Sequence, residues 1–341
     1  MRIAVDAAGG DHGPAVIVAG AVDGARRFGV DLLLTGAEAE IRRALFAHDT
    51  AGIDIVVEDA PETIGGDEQP AQAVRRKPRS AIAMALDAVR DGRAAALVSA
   101  GNSGAVMAGA LLKLGRIRGV DRPAIAGYLP SMTGKTLVLD MGAVTDPRPS
   151  HLVQFAQMGS IYIERAFGVE RPTVGLLSNG EEPSKGNQLV QETFPLLSIA
   201  PGIDFRGNVE GNDITRGIVD VIVTDGFTGN VLLKTAEGAA SLINATVRRR
   251  LTANPFRTAL AAMLRPAFDE ARKDLDYAEQ GGAPLLGIDG VVIISHGRSN
   301  ARAIANAIGV AKRSVDGEVP DTIARLMATL EPAREPAAAT G

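Results

Sequence analysis

Residues 97–109 read LVSAGNSGAVMAG: an apolar run, a Gly-Asn-Ser-Gly corner, then small apolar residues at helical spacing. The run reads as a strand and the residues from Ser103 as a helix, so the chain passes from one to the other through a corner that bulky side chains avoid. A helix start leaves backbone N–H groups without partners and carries partial positive charge. Gly101, Asn102, Ser103 and Gly104 therefore read as a seat for an anion, with phosphate the working expectation.

The same passage recurs along the chain. RIAVDA precedes a helical pattern over 14–28, DLLLTG one over 37–47, IDIVVEDA one over 80–91, and AALVSA one over 103–115. This alternation predicts an α/β fold, a three-layer α/β/α architecture with a mostly parallel sheet. AIAGYLP and TLVLDM are separated only by SMTGK, too short for a helix, so these two runs are expected to pair antiparallel through a turn. The rhythm resumes with TVGLLS, VDVIVTDG and GVVIISHG. Residues 1–330 are expected to form one catalytic unit, built as one or two lobes around a cleft, with 331–341 (EPAREPAAATG) a disordered tail.

Residues 238–275 break the rhythm with two successive helical patterns. Asn254-Pro255 reads as an N-cap followed by proline in the first turn. Phe256, Leu260, Met263, Leu264, Ala267 and Phe268 form an apolar stripe flanked by Arg257, Arg265 and Arg272. The stripe suits first a core or dimer-contact helix, and its arginines give a second reading, a helix resting on a membrane or a partner.

Composition narrows the chemistry. Of 341 residues, 46% are hydrophobic and only 4% aromatic, so alanine, glycine and aliphatic residues build the core. The absence of cysteine excludes disulfides, thiolate zinc sites and a thioester intermediate on the enzyme. The start lacks a basic region followed by a long apolar stretch, which makes the cytoplasm the expected location. A net charge of −4 argues against nucleic acid as a partner. Basic residues nevertheless cluster at Arg75, Arg76, Lys77 and Arg79, and residues 248–273 hold seven basic residues against two acidic ones.

Four corners share one theme: SAGNSGA (99–105), SNGEEPSKGN (178–187), TDGFTGN (224–230) and SHGRSN (295–300) each follow an apolar run and precede a helix. In doubly wound sheets ligands sit beyond the carboxyl ends of the strands, so these corners can converge on one crevice. Gly101, Asn102, Ser103, Gly104, Asp225, Gly229, His296 and Ser299 make up the expected phosphate- and substrate-binding set. Lys185 is a surface lysine or a point charge on phosphate. Asn230 is an N-cap or a donor to a developing oxyanion. His296 is a base, an anion ligand or a helix-entry residue.

Other signatures are missing. No two of the 39 glycines are spaced two apart, so G-x-G-x-x-G does not occur. TGKT (133–136) ends as a P-loop does, but a strand follows it, so it reads as a hairpin turn. Ser103 lacks the last glycine of a nucleophile elbow, Ala105 standing there, so its hydroxyl is read as a helix cap and anion ligand. The spacing of Asp6, Asp11, Asp140 and Asp225 names no metal site, and no cofactor is expected.

The ordered motifs VDAAGGDHGP, SAGNSGAVMAG, LPSMTGKTLVLDMGA, SKGN, GNVEGNDI, DGFTGNVLLKTAEG, QGGAPLLG and ISHGRSN together resemble the phosphate acyltransferases of bacterial phospholipid synthesis, from residue 2 to about 330. The resemblance implies a fold similar to isocitrate and isopropylmalate dehydrogenases and to phosphotransacetylase, a homodimer, and transfer of a long-chain acyl group from acyl carrier protein to inorganic phosphate. It implies Lys185 and Asn230 as the active-site lysine and asparagine. It also implies association with an anionic membrane surface, where the acyl phosphate passes to a glycerol-3-phosphate acyltransferase. This chain departs from the family pattern at Ser178-Asn179-Gly180, at Val144-Thr145 and at Arg79. A phosphotransacetylase using acyl coenzyme A would share the phosphate seat; a metal- and NAD-dependent decarboxylating dehydrogenase would need clustered aspartates; an anion binder would turn nothing over.

Overall fold

The computed structural model describes residues 1–264 and 281–330. Positions 265–275 of the expected helical pair and the expected tail 331–341 lie outside the described residues.

The strands divide between two sheets. The first holds β1 (Arg2–Asp6), β2 (Asp31–Gly36), β3 (Ile55–Asp59), β4 (Ala96–Ser99), β5 (Ala124–Ile125), β11 (Ala283–Leu286) and β12 (Val291–Ile294) in the order β3-β2-β1-β4-β12-β11-β5. Strands β3 to β12 in that order run parallel, while β11 is antiparallel to both its neighbours. The second holds β6 (Gly127–Ser131), β7 (Gly134–Leu139), β8 (Thr173–Leu177), β9 (Asp204–Val209) and β10 (Val221–Val223) in the order β6-β7-β10-β8-β9, parallel except for the hairpin of β6 and β7. The turn expected around SMTGK is that hairpin.

Strand periodicity puts alternate residues on opposite faces, and both faces are apolar because helices cover both. In β1, Ile3 and Val5 join one core cluster with helices Pro14–Phe28 and Ala301–Asp316, whereas Ala4 joins another with helices Pro70–Arg76, Ala81–Arg90 and Ser103–Lys113. In the second sheet Leu137 and Leu139 pack with helix Pro149–Phe167, and Val138 with helices Gly211–Arg216 and Gly226–Leu251. Each lobe is thus a three-layer sandwich. Helix Pro70–Arg76 is absent from the periodicity reading, since its seven residues are too few for an apolar stripe to emerge.

The lobes share one strand line: β5 and β6 are separated by Ala126 alone, whose N–H bonds the Pro284 carbonyl. Helix Pro149–Phe167 ties in the carboxyl-terminal helices, Arg165 Nε donating to the Gly317 carbonyl at 2.8 Å.

The first helix of the expected pair begins at Gly226, twelve residues before the start read from the sequence, and runs 26 residues to Leu251. Glycines at 226 and 229 had masked its beginning. The second begins at Pro255, with Asn254 Oδ1 accepting the Arg257 N–H, as the Asn-Pro signal predicts. Phe256 (74%), Met263 (78%) and Leu264 (55%) of the stripe are exposed, so they form no core of this chain. Among the described residues no helix is long and apolar enough to cross a membrane.

Candidate active site at the junction of the lobes

In each sheet the site corners flank a point where the connections part. The loop after β1 feeds helix Pro14–Phe28 on one face, and the loop after β4 feeds helix Ser103–Lys113 on the other. In the second sheet β8 leads to helix Gln188–Ile199 and its neighbour β10 to helix Gly226–Leu251 on opposite faces. Such switch points leave a crevice at the strand ends.

On the first lobe three corners stand together. Asp6 and Ile294 both pair with Ser99, and the Ser295 N–H bonds the Ser99 carbonyl at 2.8 Å. Asp11 N–H reaches the Gly297 carbonyl at 2.7 Å. Asp6 is buried; its carboxylate accepts the Ser99 hydroxyl at 2.7 Å and the Ala8 N–H at 3.2 Å. Burial pushes this carboxyl above its ordinary value, against the pull of those bonds. Gly101 is required by crowding: a Cβ there would lie 2.8 Å from Asp6 Oδ2, and one on Gly9 would lie 2.6 Å from the Gly101 nitrogen. Crowding by the Asp6 carboxylate and the Ile82 side chain, rather than a left-handed turn, explains Gly101, and the Gly101 backbone explains Gly9.

Asn102 caps the following helix, Oδ1 accepting the Ala105 N–H at 3.0 Å. This corrects the reading of Ser103 as the cap: Ser103 is the first helical residue and is exposed. Gly104 faces Pro70 of the adjoining helix, where a Cβ would come within 2.9 Å. Ser299 is buried, its N–H on the His296 carbonyl at 2.8 Å, so it shapes the 295–300 turn from within.

On the second lobe Asp140, fully buried at the end of β7, organises the corner. It accepts the N–H groups of Ile125, Gly142 and Ala143 on one oxygen at 3.0–3.1 Å and that of Val144 on the other at 2.6 Å. Burial pushes its carboxyl up while these bonds hold it down, the net shift being upward. Val144 contributes backbone N–H and, to Gly226, backbone carbonyl. The Val144 departure from the family pattern therefore leaves the cage intact, since any residue supplies those groups.

Helix Gly226–Leu251 rises from this cage. Asp225 is its N-cap, one carboxylate oxygen taking the Thr228 N–H and the other the Thr228 hydroxyl. That removes the N-cap reading of Asn230, which stands exposed on the second turn, beside Gly142. Gly229 is buried against Asp140, where a Cβ would lie 1.9 Å from its carbonyl oxygen. Asp225 and Gly229 have structural roles in this helix start.

Lys185 follows β8, next to β10 in the sheet. Its backbone N–H bonds the Glu182 carbonyl at 3.0 Å, and its stem crosses Gly180 so closely that a Cβ there would lie 2.8 Å from its Cγ. Asn179 Oδ1 takes the Gly186 N–H and Asn208 Nδ2 holds the Glu182 carbonyl, both at 2.9 Å. Ser178-Asn179-Gly180, a departure from the family sequence, thus serves as the frame of the lysine loop. Arg79 is drawn to Asp59 at 3.8 Å and Lys77 to Glu68 at 2.6 Å.

Polar contacts of helix Gly226–Leu251 join the two sets of corners, and one is the ion pair of Glu237 Oε2 with Arg298 Nη2 at 3.9 Å. Lys234, one helical turn beyond Asn230, places Nζ 3.5 Å from His296 Nε2 and 3.1 Å from Glu237 Oε2. His296 Nδ1 accepts the Arg298 N–H at 3.1 Å. Burial first, then the Lys234 charge, holds the imidazole below its ordinary value, with Glu237 and Asp11 opposing. The structure thus unites the corners after β1, β4 and β12, sets Asn230 on the helix that meets them, and leaves Lys185 one strand further along the second sheet. Lys234 carries no signal of its own in the sequence, because its contact, His296, lies 62 residues further along the chain.

A family model described as fatty acid synthesis protein matches residues 1–322. A phosphate acyltransferase from Geobacter sulfurreducens is 49% identical over 329 residues, covering 96% of this chain and 95% of the relative. Among solved structures, a phosphotransacetylase from Streptococcus pyogenes superposes with a TM-score of 0.61 at 17% identity, covering 92% of this chain and 94% of that one. A 4-hydroxythreonine-4-phosphate dehydrogenase from Klebsiella pneumoniae gives 0.52 at 15% identity, with 95% and 99% covered. The fold is therefore shared with phosphotransacetylases.

Proposed function

This chain belongs to the phosphate acyltransferase family, and on that premise we propose that it moves a long-chain acyl group from acyl carrier protein to inorganic phosphate, making acyl phosphate for phospholipid synthesis. The observation that carries this reading is the placement of Asn230 on the helix whose next turn touches the corner after β12. It supports reading Asn230 as an amide donor at a site whose phosphate seat is the start of helix Ser103–Lys113.

A thioester and an acyl phosphate are both activated acyl groups, so the exchange needs no nucleotide and no redox step. An oxygen of hydrogen phosphate attacks the thioester carbon, the carbonyl oxygen becomes an oxyanion, and the C–S bond then breaks. The phosphate proton leaves with sulfur, giving the free carrier thiol and an acyl phosphate dianion. Asn230 donates to the oxyanion. The corner Gly101–Gly104, with Asn102 and Ser103, holds phosphate in line, and Lys185 offsets its charge.

Acyl carrier protein is acidic as a class, and two basic patches suit it: Arg75 and Arg76 at the end of their helix, or Arg248, Arg249 and Arg250 at the end of theirs. The exposed apolar residues of the helical pair suit a homodimer contact or an anionic membrane surface at the inner face of the cell membrane, where a glycerol-3-phosphate acyltransferase takes the product. The deciding assay incubates the purified protein with acyl carrier protein thioester and inorganic phosphate, without nucleotide. Phosphate-dependent release of free thiol is expected. Release from acyl coenzyme A alone would transfer the reading to a phosphotransacetylase-type reaction, and no release from either would end it.

A further inference from the structure

Asp6 and Ser99 stand at the carboxyl ends of the neighbouring strands β1 and β4 and pair in register. Both are buried. The Gly101 N–H donates to Ser99 Oγ at 3.1 Å, and the Ser99 hydroxyl donates to Asp6 Oδ2 at 2.7 Å. The direction of this relay is fixed, because an amide N–H can only donate and a carboxylate can only accept. Asp6 Oδ1 takes the Ala8 N–H at 3.2 Å, so the same carboxylate also ties down the loop after β1. A side-chain amide in its place would set an N–H against one of these two donors. Packing beside the corner is incomplete: a cavity of about 40 Å³ borders Asp6, Gly9, Thr63, Gly101 and Asn102, which leaves hydrogen bonds to hold the turn. Beyond the corner the Ala105 N–H goes to Asn102 Oδ1 and the Val106 N–H to the Asn102 carbonyl. Ser103 and Gly104, the first two helical residues, have no acceptor within the helix for theirs.

We propose that Asp6 and Ser99 are positioning residues of the phosphate seat: they hold the Gly101 peptide so that the N–H groups of Ser103 and Gly104, and not that of Gly101, meet the phosphate oxygens. Phosphate as the anion rests on the acyl-transfer reading above. Gly101 supplies direction to the turn, and its own N–H is already engaged from beneath. A corner fixed in this way is ordered before phosphate arrives, so binding requires less reorganisation of the loop. The relay also couples the two loops that leave β1 and β4 toward opposite faces of the sheet, since one carboxylate accepts from both.

Amide hydrogen exchange in the wild-type protein tests this without turnover and without a variant. The Gly101 amide should exchange slowly with or without inorganic phosphate, whereas those of Ser103 and Gly104 should slow only when phosphate is added. Fast exchange at Gly101 that phosphate slows as much as at Ser103 and Gly104 overturns the assignment. Thiol release by a protein whose Ser103 and Gly104 amides do not respond to phosphate also overturns it and leaves the acyl-transfer reading standing. In the assay, Ser99→Ala and Asp6→Asn should each raise the phosphate KM, by up to about 10²-fold, the scale of misplacing a group by about 1 Å, and leave the KM for the acyl donor unchanged. Ser99→Thr keeps the hydroxyl and should recover part of that loss. An unchanged phosphate KM in both folded variants overturns the positioning role, and an equal rise in both KM values with a lowered Tm assigns the pair to stability and overturns it too. Where a variant does not fold, the exchange measurement decides. Wild-type protein that releases no thiol overturns the acyl-transfer reading, and exchange with phosphate then judges the positioning role by itself.

Discussion

The two halves of helix Gly226–Leu251 differ in what holds them. The leading half is pinned: Gly226 and Gly229 are buried on the Asp140 corner, and Leu232, Leu233 and Ala236 pack on the cluster around Val138 and Ile222. Its other face carries Lys234, one turn beyond Asn230, to His296 of the first lobe. No residue of the trailing half is buried, and Leu242 (69%) and Ile243 (61%) are exposed apolar side chains. A rigid, core-anchored turn is what a positioned donor requires, because misplacement by a fraction of an ångström weakens it. An uncovered apolar face instead requires another surface. One continuous helix thus links a fixed site to an outlying contact region.

The largest effect expected of that contrast is catalytic. Asn230→Ala and Lys185→Ala should lower turnover by about 10²- to 10³-fold, the typical loss of one oxyanion donor, while Tm stays near the wild-type value because both side chains are exposed. Steady-state rates paired with thermal melts check this. A raised phosphate KM with unchanged kcat in Asn230→Ala would move its role to ground-state phosphate binding.

Next in size are two identical substitutions with opposite signs. Gly229→Ala drives a Cβ against the Asp140 carbonyl and should cost about 1–3 kcal/mol. Gly238→Ala, where a Cβ meets nothing within 4 Å, should gain roughly 0.5–1 kcal/mol of helix stability. Denaturant melts of the pair decide whether the leading half alone is pinned.

A smaller effect concerns pH. His296 binds its proton less readily folded than unfolded, where the ordinary value is 6.5. The unfolded chain therefore takes up the proton first, and stability present above that value is lost as pH falls through it toward the folded value. The facing groups are Lys234, Glu237, Arg298 and Asp11. His296→Gln should flatten this slope in melts from pH 7.5 to 5.5.

The smallest expected change in stability is that of Leu242→Glu with Met263→Glu, within about 0.5 kcal/mol for exposed sites. Its readout is association. Sedimentation and liposome flotation with anionic vesicles separate a broken dimer from lost lipid binding, and no change in either would leave the trailing half without a surface role.

Much of the fold is legible in the sequence. Apolar runs of strand length, the SMTGK hairpin and the Asn254-Pro255 start all act within a few residues, so local chemistry declares them. The corners were legible for the same reason, since each joins a strand to a helix. Other features escape local reading. Asn102 rather than Ser103 caps its helix because backbone geometry places the asparagine outside the first turn. The glycines at 101 and 229 resemble phosphate-loop glycines but are set by close approach of Asp6 and Asp140, residues distant in sequence. Lys234 emerges only once the fold brings it to His296, distant in sequence.

Alternation of strand and helix, the polar corners, the lack of cysteine and the ordered family motifs belong to the sequence alone, because periodicity and capping are properties of neighbours along the chain. The division into two sheets, the meeting of the strand ends and the contact of Lys234 with His296 belong to the tertiary structure. Which strands lie side by side depends on burying both faces of each sheet at once, and that condition joins residues as far apart as Asp6, Ser99 and Ile294.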